Sequence, residues 1–322
     1  MKNTISYRLP TNVKPTKYQI AIIPDLQTFT FEGEETINIE VLKPTLSIFL
    51  NSAELKINYA HVIFGNETIL GAANIELDSE NERVHIQFSE PIPKGKFALK
   101  MGFSGILNDQ LRGFYRVAYT DSSGNPSFLL CTQFEPTDAR KAFPCWDEPA
   151  IKATFEVSLT IPSHLTALAN TSIASQQLNN NGTSTICFKK TPPMSTYYLA
   201  FIVGDLASVE QISSDGTLVR IWATRGKEDQ GKFALATSIR LLDYFNNYFG
   251  IPYPLDKLDH IAVPDFAAGA MENWGAITYR EAALLFDETS SSANTKQRIA
   301  EIIAHEMAHM WFGDLVTMEW WD

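Results

Sequence analysis

Glu35-Thr36-Ile37-Asn38-Ile39-Glu40-Val41 decides how the first part of the chain is read. Polar and apolar side chains alternate along it. Successive side chains of a strand point to opposite faces, so a period of two marks a strand with one buried face. Working outward, Tyr18-Gln19-Ile20-Ala21-Ile22, Leu46-Ser47-Ile48-Phe49-Leu50, Val84-His85-Ile86-Gln87-Phe88, Phe97-Ala98-Leu99-Lys100-Met101 and residues 154–161 continue the β pattern. Turn signals separate them: Phe64-Gly65-Asn66, Pro91-Ile92-Pro93-Lys94-Gly95 and Ser123-Gly124-Asn125-Pro126. Short strands at this spacing predict antiparallel sheets, in a sandwich or saddle, over residues 1–204. Residues 176–185, rich in Asn, Gln and Ser, are expected to be a hairpin tip or mobile loop.

The period changes after residue 204. Phe233, Ala236, Ile239, Leu242, Phe245 and Phe249 recur at helical spacing, and Gly250 with Pro252 ends that run. Residues 258–264 and 275–280 read as strands, with Ala267-Ala268-Gly269-Ala270 between them. A last helix is predicted through Ile299, Ile302, Ile303 and Met310 to about Phe312, with Asn294 or Thr295 as N-cap and Gly313 as C′ residue. The reading is therefore two closely packed domains. An all-β N-terminal domain spans 1–204, and an α+β domain spans 205–322.

Composition limits the function. The 322 residues are 45% hydrophobic and 20% charged, with net charge −11. An acidic surface argues against nucleic acid as a partner. Three cysteines, Cys131, Cys145 and Cys187, lack C-x-x-C spacing and are expected to be buried free thiols. The N-terminus has no apolar signal region, and no run of 18 apolar residues could span a membrane, so a cytoplasmic protein is expected. Asn66-Glu67-Thr68, Asn170-Thr171-Ser172 and Asn181-Gly182-Thr183 match the glycosylation pattern, here as chance matches. His61, His85 and His164 are isolated surface or cross-strand histidines, and His260 is a strand histidine rather than a metal ligand.

Three stretches carry chemistry. His305-Glu306-Met307-Ala308-His309 places two imidazoles four residues apart on one helix face, where both can bind one zinc ion. Glu306, beside the first ligand, can take a proton from water at an open metal position. In Gly269-Ala270-Met271-Glu272-Asn273-Trp274-Gly275, small residues let a peptide lie close as an added strand, and Glu272 can meet its terminal ammonium. Residues 131–140 and 142–149 form a rigid irregular segment, Gln133 and Glu135 among them, of the kind that often builds sites.

Together these stretches resemble the M1 family of zinc aminopeptidases, gluzincins with G-A-M-E-N before H-E-x-x-H. The likeness extends to Thr132-Gln133-Phe134-Glu135-Pro136, to Ala142-Phe143-Pro144-Cys145-Trp146-Asp147-Glu148-Pro149, and to residues 191–197, 263–269 and 309–318. It is nearest the aminopeptidase N and puromycin-sensitive types. The resemblance implies a saddle-like β domain followed by the first part of a thermolysin-like catalytic domain. It implies one zinc held by His305 and His309, with Glu306 as general base. Glu272 would grip the α-amine of a peptide with a free N-terminus, helped by Gln133 or Glu135. Gly269 and Ala270 would hold the peptide backbone within the segment that also contains Met271 and Asn273.

The family's third zinc ligand, a glutamate, lies beyond residue 322, as does the tyrosine that stabilises the oxyanion. The expectation is an N-terminal fragment of such an enzyme, inactive alone. The alternative is a non-catalytic peptide-binding or regulatory remnant. A hydrolase of another substrate class, such as an epoxide, is disfavoured because residues 269–273 have the peptidase form.

Overall fold

The computed structural model describes residues 8–65 and 68–321. The alternation at 35–41 belongs to a longer strand, Thr30–Val41, with Phe31, Glu35, Ile37, Ile39 and Val41 buried. It lies antiparallel between Val13–Asp25 and Gly95–Ile106, in the middle of a ten-stranded sheet. On one side the sheet continues through Lys56–Phe64, Thr68–Asp78 and Arg83–Ile92 to Thr45–Asn51. On the other, Val13–Asp25 pairs with Thr154–Pro162, and this pairing is parallel where the local pattern suggested only antiparallel ones. The outer hairpin is Ile173–Leu178 with Thr183–Phe188, so residues 176–185 are a hairpin. A second sheet contains Thr166–Ala169, Phe201–Gly204, Pro126–Gln133 and Gly113–Thr120.

The third sheet carries the candidate site. Its five strands run in the order Leu206–Ile212, Leu218–Thr224, Lys257–Val263, Ala276–Arg280 and Ala270–Met271. The central pairings are parallel and the outer ones antiparallel. Lys257–Val263 is buried along its whole length, which explains its continuous apolar run at 261–263. Residues 206–224 therefore form a hairpin before the first long helix begins.

The α-helices among the described residues are α1 (Lys232–Phe249), α2 (Glu281–Leu284) and α3 (Ala293–His309). α1 ends as its sequence predicts: Gly250 is left-handed (φ +65°), and its N–H donates to the Asn246 carbonyl. α3 differs at both ends. Its N-cap is Ser292, in extended conformation, rather than Asn294 or Thr295. It stops at His309, and Met310 stays right-handed, so Gly313 is not a C′ residue. α1 and α3 pack against each other.

Other expectations can be placed. Cys131 and Cys145 are buried, Cys187 is half-buried, and all are free thiols. Asn170 is buried and cannot be a glycosylation acceptor, while Asn66 and Glu67 lie outside the described residues. His85 stacks on Phe49, and His61 stacks on Tyr59. Among the described residues no helix is long and apolar enough to cross a membrane.

Candidate active site

α3 is held by its inner face, where Ile299, Ile303 and Met307 are buried. Just beyond it, the Trp311 indole N–H donates to the Ile251 carbonyl (2.7 Å). This presents His305 and His309 on one side, with their Nε2 atoms 3.2 Å apart and their rings nearly perpendicular at 86°. His309 Nδ1 lies 3.0 Å from the Phe312 carbonyl oxygen, which can only accept. Nδ1 therefore carries the proton, and Nε2 keeps its lone pair. Two nitrogens bound tetrahedrally at zinc distances stand about 3.3 Å apart, so the pair fits one ion. Among the described residues, no group of three His, Cys, Asp or Glu side chains comes together as a complete ligand set.

These histidines open on a cleft of about 540 Å³, whose wall also includes Glu135, Tyr198, Ala270, Glu272 and Glu306. Three carboxylates converge there, and the described lining contains no Lys or Arg. The electrostatic result is visible at Glu306. Burial first, then the charges of Glu272 and Glu135, push its carboxyl up to about 8. Glu135, at the exposed margin, is also raised, by partial loss of water and by Glu272, against a lowering effect of His309.

Ala270–Met271 forms the edge of the third sheet, paired with residues 278–279. Among the described residues, its other edge has no strand beside it. No atom lies within 4 Å of where a Gly269 side chain would begin, so a backbone can approach there. The structure thus brings together Glu135, Ala270, Glu272, His305, Glu306 and His309. It does not put Gln133, Gly269, Met271 or Asn273 on the cleft wall. Gln133 is buried at the end of Pro126–Gln133, with its Oε1 unpartnered among the described residues. Met271 is buried, and the buried Asn273 donates from Nδ2 to Thr278 Oγ1 (3.1 Å). His260 is a core histidine against the Tyr279 hydroxyl (2.9 Å), and burial pushes it down to about 3.

Two residues near the cleft escaped the sequence reading. Tyr198 lines it, and its hydroxyl pairs with that of Tyr197. Asp314 is fully buried with both carboxylate oxygens unpartnered among the described residues. Burial and then the Glu272 charge raise its carboxyl far above the usual range. Lys152 donates instead to the Asp314 and Leu315 carbonyls (3.1 Å each). Both residues sit within or beside stretches quoted above, at 191–197 and 309–318, but no periodicity distinguishes them.

Comparison with known proteins agrees with this geometry. The model of the Peptidase M1 N-terminal domain matches residues 14–198, and that of the Peptidase family M1 domain matches 233–322. The chain belongs to peptidase family M1. Aminopeptidase M1 of Arabidopsis thaliana is 48% identical over 98% of this chain, and Puromycin-sensitive aminopeptidase of Caenorhabditis elegans is 41% identical over 98%. The M1 chain spans 36% and 33% of those relatives. Aminopeptidase N of Acetobacter pasteurianus is 42% identical over 98% of this chain and 87% of its own length. In this M1 chain the cleft is shared between the two matched regions. Glu135 and Tyr198 come from the first, and Ala270, Glu272 and α3 from the second.

Proposed function

We propose that the chain carries the substrate-gripping and metal-binding residues of a zinc aminopeptidase, one that removes the first residue from peptides with a free N-terminus. The observation that carries this reading is the pair of Nε2 atoms 3.2 Å apart in a cleft walled by three carboxylates. We place the boundary between its two domains at 204/205, where the second sheet gives way to the third.

His305 and His309 would hold the zinc through Nε2. Bound zinc supplies Lewis-acid chemistry, polarising a carbonyl and acidifying water. Glu306 is the base: its buried carboxylate takes a proton from water in the cleft and returns it to the departing amine. Positive charge entering the cleft offsets the repulsion from Glu272 and Glu135 and favours the ionised form that a base requires. Glu272 grips the α-ammonium, helped by Glu135, which shares the cleft wall with it, or by Gln133. Charge-assisted hydrogen bonds to an ammonium are lost when the amine is acylated, so blocked peptides are rejected. The free edge at 269–271 takes the peptide backbone as an added strand, next to the turn that contains Asn273. A catalytic zinc normally has three protein ligands. With two found here, turnover is expected from a polypeptide that supplies the third, and peptide binding from this chain.

The test pairs calorimetric titration of this chain with alanyl-alanine and its N-acetyl form with hydrolysis of alanyl-p-nitroanilide by a polypeptide of the relatives' length. The free amine should bind and the acetylated peptide should not. Glu306→Gln should cut turnover by about 10²-fold or more while peptide binding persists. Equal binding of the two peptides refutes the ammonium grip. Binding without turnover in the long polypeptide favours a peptide-binding protein instead.

A further inference from the structure

The turn that carries Glu272 is pinned from outside its own sheet. Ala270–Met271 pairs over two residues only, and among the described residues the Glu272 carboxylate makes no hydrogen bond or ion pair. Its direction therefore depends on its backbone. Two and three residues later that backbone is caught. Asn170 Nδ2 donates to the Trp274 carbonyl (2.9 Å), and Lys257 Nζ donates to the Gly275 carbonyl (2.5 Å). Gly275 is left-handed (φ +77°), and a β-carbon there would lie 2.3 Å from the Asn170 carbonyl oxygen, so the two segments are in direct contact.

Both residues use every side-chain donor they have at this point. Asn170 also donates to the Tyr198 carbonyl (2.7 Å) and accepts from the Ala200 N–H (2.8 Å). Lys257 also donates to the Ala169 carbonyl (2.6 Å) and pairs with Asp259 (2.7 Å). Each is 1% exposed. A buried ammonium is costly, and replacing such groups by apolar ones is often neutral or stabilising. What this pair does achieve is a fixed relation between two walls of the cleft, Tyr198 and the Glu272 turn.

We infer that Asn170 and Lys257 are positioning residues that aim Glu272 at the substrate's ammonium. The inference rests on the reading of Glu272 as the ammonium grip. It gives Asn170 a role in substrate selection.

The test is calorimetric titration of alanyl-alanine and N-acetyl-alanyl-alanine into this chain and its variants. Asn170→Asp keeps the shape and replaces two donors with acceptors. It should weaken free-amine binding about tenfold, the order expected for a weakened charge-assisted hydrogen bond, without changing the acetylated peptide. Asn170→Ser, which retains one donor, should fall between and serves if the first variant does not fold. In a Glu272→Gln background neither should cause further loss. A merely structural role would lower the binding-competent fraction and the thermal midpoint at unchanged Kd. Wild-type Kd in both Asn170 variants overturns the inference. So does a loss that persists in the Glu272→Gln background, because Asn170 then acts by another route. Wild-type Kd in Glu272→Gln alone overturns the ammonium grip itself and the inference with it.

Discussion

Glu35 stands where the alternation of its strand expects an apolar side chain. The other inward positions of Thr30–Val41 are Phe31, Ile37, Ile39 and Val41. Glu35 is 1% exposed, and neither carboxylate oxygen has a partner among the described residues. Burial alone pushes its carboxyl well above the usual range. A folded-state value raised above the unfolded one, roughly 4.3, has a definite sign. The contribution is fully present below the unfolded value and is lost as pH rises through the folded one. Glu35→Gln should therefore stabilise the protein by about 1–3 kcal/mol more at pH 9 than at pH 5, and raise its thermal midpoint accordingly. Melting curves across that range check it, and a difference independent of pH would refute the assignment. The same scale explains what was legible. His305, Glu306 and His309 could be read because four residues make one helical turn, whatever surrounds them. Asp314 and Tyr198 could not, because their places follow from packing between distant segments. Asn170 shows the same limit: its glycosylation pattern is the chance match expected, but its place, buried against Trp274, follows only from the fold.

Helix ends show the same division. α1 was legible at its end because Gly250 and the apolar period are local signals. No atom lies within 4 Å of a β-carbon at Gly250, so Gly250→Ala is opposed by backbone conformation alone. It should cost about 1–2 kcal/mol. Gly275 is also left-handed, but a β-carbon there meets a backbone oxygen at 2.3 Å and Leu255 Cδ1 at 2.6 Å. Gly275→Ala should cost more than Gly250→Ala and should also weaken free-amine peptide binding. Urea denaturation of the two variants side by side, with peptide titration, checks both points. Equal destabilisation would mean that the turn relaxes freely. The start of α3 and the hairpin at 206–224 were read less well. Thr295 looks like a cap, but its N–H already donates to the Ser292 carbonyl, one turn earlier. The parallel pairing of Val13–Asp25 with Thr154–Pro162 joins segments far apart in sequence, and alternation records a strand without naming its neighbour.

At the scale of the molecule, polar ties couple the two matched regions; those of Ser172 and Lys189 to Asp256 are exposed, and two others are deeply buried. Lys257 reaches the Ala169 carbonyl, and Asn170 reaches the Trp274 carbonyl. Asp259 anchors the first of these. It is fully buried, accepts both Arg220 Nε (2.6 Å) and Nη2 (2.9 Å), and also accepts from the Trp222 indole (3.0 Å). Its carboxyl is held below the usual range despite burial, by Lys257 and then Arg220. For a depressed carboxyl, the stability it confers is present above the unfolded value and is lost as pH falls through the folded one. Lys257→Met removes one of its cations and both carbonyl ties while leaving the Arg220 pair. Breaking one partner from a buried ionic cluster costs about 3–5 kcal/mol. The loss falls on the junction, so it should do more than lower the midpoint. Wild-type protein is expected to melt in a single calorimetric transition at neutral pH. Lys257→Met should separate this into two, with tryptophan fluorescence weighted toward the melting of the region from 205 onward, which holds five of the six tryptophans, Trp146 alone lying before it. A single transition displaced to lower temperature would show instead that apolar packing across the junction, rather than this polar pin, couples the two parts.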